Sequence, residues 1–106
     1  MQQLEELRSI STQLKLVLAY WLSIWDLESP TLFGLSIDEF THIHDMWPSL
    51  LDSGHEMAYV ALSGALRELL YGACALSSTE IQAQFDLDQH VAEAILDAAN
   101  NHLKTL

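Results

Sequence analysis

A chain of 106 residues, half of them apolar and 18% charged, is long enough for one hydrophobic core and short for two domains. This composition excludes disorder, and the single cysteine excludes an internal disulfide. Fifteen acidic residues against four basic ones leave a net charge of −11, which excludes the electropositive surface that nucleic-acid affinity requires.

The opening MQQLEELRSIS is acidic and polar, unlike a secretory or mitochondrial targeting segment. Leu4, Leu7, Ser11, Leu14, Leu18, Trp21 and Trp25 step by three and four, which draws one stripe along a helix expected over about 2–26. Ile10, Val17 and Ile24 widen that stripe, and from Leu16 onward nearly every position is apolar, so the second half is expected to be buried on most sides. The run 16–25 is about half the length of a membrane span. Pro30, which pushes Ser29 away from helical geometry, is expected to stop the helix. The following segment, 27–35, is apolar for a loop and should pack over the bundle.

Three Ser-x-x-Glu capping boxes then announce helix starts, at Ser36–Glu39, Ser53–Glu56 and Ser77–Glu80. The first predicts a helix over 37–47 with Ile37, Phe40, Ile43 and Trp47 inward, closed by Pro48. The second predicts a long apolar helix over 54–76, with Gly72 as the place where it would break. Its wet side is marked only by Glu56, Ser63, Arg67 and Glu68, and its small residues Ala58, Ala61, Gly64 and Ala65 suit a central helix approached closely by its neighbours. The third opens a short helix over 79–85, followed by one over 89–103. With no alternating β-branched runs, the expected fold is all-α: residues 1–106 as a single-domain bundle of four to five helices around the central apolar one.

Chemical motifs are scarce. Glu80, Ile81, Phe85, Leu87, Ile95 and Leu96 resemble a helix-turn-helix in spacing, but Asp86 stands at the usual turn glycine, and the second helix carries Asp88, Glu93 and Asp97 with no arginine or lysine before Lys104. His42 and His44 point about 200° apart on a helix and cannot share an ion. Glu39-x-x-His42 has the spacing of a di-iron ligand pair, yet the partner motif is missing. Cys74 lies in an apolar stretch with no base beside it, an inert thiol suited to a reducing compartment. With no Gly-x-Ser-x-Gly elbow and no Gly-rich phosphate loop, neither an enzyme nor a cofactor is expected.

The charge is distributed unevenly. Residues 1–15 are neutral and 67–106 net −4, while 16–66 carry Asp26, Glu28, Asp38, Glu39, Asp45, Asp52 and Glu56 without one Lys or Arg. Those acids, with Trp47 or Phe33 as desolvated anchors, are the expected contacts for a basic protein partner, and the chain is read as a small cytoplasmic module that docks on it and masks it. Immunity proteins, antitoxins and nucleic-acid mimics are of this class. A homodimeric structural or regulatory protein is the alternative, followed by an acidic helix-turn-helix regulator. Direct nucleic-acid or membrane binding is not expected.

Overall fold

The computed structural model describes residues 10–47, 49–72 and 75–105, with the backbone alone at 51 and 52. Leu4, Leu7, Pro48 and Cys74 therefore lie outside the described residues. The first described helix, α1 (Ser11–Ser23), buries Leu14, Val17, Leu18 and Trp21, the stripe set by the three- and four-residue spacing. Its second half is not buried on most sides as expected, since Leu16 stays 47% and Ile24 46% exposed. The neighbouring helices cover the stripe and leave the opposite face to solvent.

The chain after α1 corrects the expectation for Pro30. The carboxylate of Asp26 accepts the backbone N–H groups of Glu28 at 2.9 Å and Ser29 at 3.1 Å, while the Ser29 hydroxyl accepts the Asp26 N–H at 3.0 Å. This closed turn starts a short helix, α2 (Ser29–Phe33), and Pro30 sits in its first turn. A first-turn N–H has no partner within the helix, so proline loses nothing there. Gly34 ends α2 at φ +70, and the segment turns inward through the buried Phe33 and Leu35, as its apolar character led one to expect.

Helix α3 (Ile37–Asp45) begins with the expected capping box: Ser36 Oγ accepts from Glu39 N at 3.1 Å and Glu39 Oε1 from Ser36 N at 2.9 Å. Phe40, Ile43 and, just past the helix, Trp47 are buried, but Ile37 in the first turn is 46% exposed. The next box does not form. Ser53 is used by the preceding one-turn helix α4 (Ser49–Asp52), its N–H bonding Ser49 O at 3.1 Å and its hydroxyl donating to Leu50 O at 3.0 Å. Gly54 reverses the chain at φ +72, and the cap falls to His55, whose Nδ1 accepts the Met57 N–H at 3.2 Å.

Helix α5 (Glu56–Tyr71) packs against α1, α2, α3 and α4, and most extensively against α7. It ends at Tyr71 with Gly72 as its cap, at the expected break and five residues short of 76. Ser63, expected on the wet side, is buried and donates to Asn100 Oδ1, because α7 packs against α5 there, while Glu56 and Arg67 on the same side stay exposed. Phe33 presses on Gly64 and lies 5.6, 5.5 and 5.3 Å from the rings of Trp21, Trp25 and Phe40, an aromatic cluster joining α1, α2 and α3 over α5. Arg67 ties α2 down from outside, its Nη2 donating to Leu32 O at 2.6 Å.

The C-terminal corner follows the sequence closely. Helix α6 (Ser78–Phe85) carries the complete Ser77–Glu80 box, and α7 (Gln89–Lys104) is capped by the Asp88 carboxylate. Asp86 takes the left-handed turn position at φ 52, where a helix-turn-helix commonly has glycine. Among the described residues there is no strand, so the all-α class stands. No described helix is long and apolar enough to cross a membrane.

Candidate functional site

The acids of 26–56 are the starting point. Asp26, Glu28, Asp38, Glu39, Asp45 and Glu56 are all exposed, and the side chain of Asp52 lies outside the described ones. Two of these carboxylates have structural work: Asp26 closes the turn before α2 and Glu39 completes the α3 box. Asp45 meets His44 Nδ1 at 3.2 Å. No lysine or arginine from 16–66 exists to neutralise the group.

The expected aromatic anchors are placed otherwise. Trp47 is only 5% exposed, and its indole N–H donates to Ser11 O at 2.9 Å, fixing the end of α3 to the start of α1. Phe33 is 4% exposed within the aromatic cluster. Both belong to the core, where their area contributes to folding and offers a partner nothing. The apolar side chains that do face solvent are others, led by Leu27 at 99% and Tyr71 at 64%, with Met46 at 45% and Leu32 at 43%.

Two of the expected acids, Asp38 and Glu39, belong to a groove. The 38, 39, 42, 43 spacing lines one face of α3, and the turn through α4 into α5 passes in front of it. Between them lies a groove of about 390 Å³ lined by Asp38, Glu39, His42, Ile43, Leu50, His55 and Met57. Asp38, Glu39, His42 and His55 stand exposed at its rim; Ile43 is buried, and Leu50 and Met57 are partly buried. Asp26, Glu28, Asp45 and Glu56 do not line it. Leu50, His55 and Met57 could not be singled out from sequence, because the reversal at Gly54 that brings them opposite α3 is a tertiary event.

A larger groove of about 670 Å³ lies in the helix-turn-helix-like corner, lined by Ser78, Thr79, Gln82, Ala83, Asp88, Gln89 and His90. The apolar positions of that motif, Ile81, Phe85, Leu87, Ile95 and Leu96, are all buried. The exposed residues of α7 include Asp97 and no lysine or arginine before Lys104. Among the described residues, no group of three or more His, Cys, Asp or Glu side chains is placed to hold a metal ion.

No protein-family model matches the chain, and neither a curated protein nor a solved structure matches it significantly.

Proposed function

We propose that this protein is a small acidic binding module that docks on a basic protein partner and masks it, as immunity proteins, antitoxins and nucleic-acid mimics do. The observation that carries the reading is the uncompensated acidity of 16–66 exposed on the molecular surface: Asp26, Glu28, Asp38, Glu39, Asp45 and Glu56 all face solvent with no lysine or arginine from the same stretch beside them. Such a surface attracts cations and repels phosphate backbones. The module works in the cytoplasm, by occlusion rather than catalysis, and needs no cofactor. The groove beside α3 supplies concavity, and exposed apolar side chains such as Met46 take the anchoring part that the core keeps from Trp47.

The test is capture of partners from native lysate at low salt, release at about 0.5 M salt, where the Debye length falls well below 10 Å, and then kinetics with the purified partner. A basic protein is expected to be released, and its association rate to fall at least about tenfold as salt rises through the physiological range. A rate indifferent to salt would remove electrostatic docking from the account.

A second reading has its own observation. Leu27 is 99% and Tyr71 64% exposed, and such side chains are commonly covered in an oligomer. Light scattering on gel-filtered protein discriminates: a stable dimer at low concentration favours self-association, and a monomer favours the masking module.

A further inference from the structure

We infer that the groove between α3 and the α4–α5 turn is a receptor for an arginine side chain presented by a basic segment of the partner, a reading that rests on the docking function proposed above. The groove combines two things an acidic surface alone lacks. Its rim carries the carboxylates of Asp38 and Glu39, and its floor is formed by Leu50 and Met57 with the buried Ile43 beneath. A long cationic side chain has the matching construction, an apolar stem with a charge at its end, and it lies on apolar surface while keeping its head among counter-charges.

The charge complementarity is one-sided: among the described residues no lysine or arginine lines the groove, and neither basic type occurs anywhere in 16–66 to compete for the two carboxylates. Arginine fits better than lysine for reasons of hydration and shape. Its guanidinium is more weakly hydrated, planar and able to stack, and the imidazoles of His42 and His55 are among the side chains that line the groove. Glu39 Oε1 is already engaged by the Ser36 N–H, which holds the carboxylate in place and leaves its other oxygen for the guanidinium. The volume, about 390 Å³, is in the range of small-ligand sites and exceeds what one side chain fills, so neighbouring residues of the same segment enter with it.

The test uses fluorescein-labelled octa-arginine and octa-lysine peptides, with anisotropy read on the full chain at about 20 mM salt, where surface charges are weakly screened. The key variant is Asp38→Asn/Glu39→Gln, since glutamine still completes a capping box and helicity is checked by circular dichroism. The control is Asp86→Asn/Asp97→Asn, which removes the same charge from the α6–α7 side, asparagine being tolerated at the left-handed position of Asp86. Met57→Ala shortens the floor without touching charge. Octa-arginine is expected to bind more tightly than octa-lysine, to weaken about tenfold on the groove variant and about threefold on Met57→Ala, and to change less than about twofold on the control. Equal losses on both charge variants would overturn the groove while leaving a diffuse acidic docking surface intact. Absence of binding to the wild-type chain at low salt would overturn both the groove and the docking function.

Discussion

Replacing Gly64 by alanine sets two known effects against each other, and the structure decides between them. Alanine is favoured over glycine in a helix interior by about 0.5–1 kcal/mol, so on propensity alone the change stabilises α5. In place, however, the new Cβ would stand 2.9 Å from Phe33 Cδ1, with Phe33 Cα at 3.6 Å behind it. The ring has little room to retreat, because Trp21, Trp25 and Phe40 surround it at 5.3–5.6 Å and it is only 4% exposed. Overpacking of a filled core costs about 1–3 kcal/mol, so the net expectation is a loss of about 0.5–2 kcal/mol. For a domain of this size each kcal/mol is worth roughly 4–8 °C in Tm. Urea titration followed by tryptophan fluorescence measures it, Trp21 and Trp25 both lying against the ring that moves. The cause is isolated by adding Phe33→Leu: if the clash is with the ring, the double variant loses less than the sum of the singles, by at least about 0.5 kcal/mol. A Gly64→Ala variant as stable as the parent, or singles that simply add, would show that Phe33 is not wedged against this glycine.

The helix caps give a second expectation. Ser36→Ala and Ser77→Ala each lose about 1 kcal/mol, while Ser53→Ala changes stability by less than about 0.5 kcal/mol because its hydroxyl makes only an exposed bond to the Leu50 carbonyl behind it and does not cap α5. His55→Ala loses about 0.5–1 kcal/mol, since its Nδ1 is the acceptor at the start of α5; a costly Ser53→Ala beside a neutral His55→Ala in the same denaturation series would return the cap to the serine. The third concerns His102, whose ring stacks on Tyr59 at 3.8 Å and 18° while its buried Nε2 has no hydrogen-bond partner among the described residues. His102→Phe keeps an aromatic ring and removes an unsatisfied polar atom of a kind that costs about 1–3 kcal/mol, so the variant should match or exceed the parent in Tm. A fall of more than about 1 kcal/mol would mean that the nitrogen is satisfied in solution by water.

The readable part of this protein lay in local, periodic signals. The 3,4 spacing of Leu14, Leu18 and Trp21 marks the buried stripe of α1, and the Ser36 and Ser77 boxes mark the starts of α3 and α6, because both depend only on residues within one or two turns. Exposure of the acids followed from the cost of burying charge, and required no knowledge of neighbours. Where two local signals competed, tertiary packing chose. Pro30 can end one helix or open another, and the covering of Phe33 by Trp21, Trp25 and Gly64 favours the second. Ser53 can cap forward or close the turn behind it, and the reversal at Gly54 uses it behind. Trp47 was expected inward yet also as an anchor and Ser63 on the wet side; both are buried, with bonds to Ser11 and Asn100, residues 36 and 37 positions away. The groove is the extreme case: Asp38 and Glu39 were visible as acids, but Leu50 and Met57, which line the groove with them, come from across a chain reversal. Periodicity and capping determine which residues turn inward along one helix; only the closing of helices upon one another decides which stretches of chain face each other.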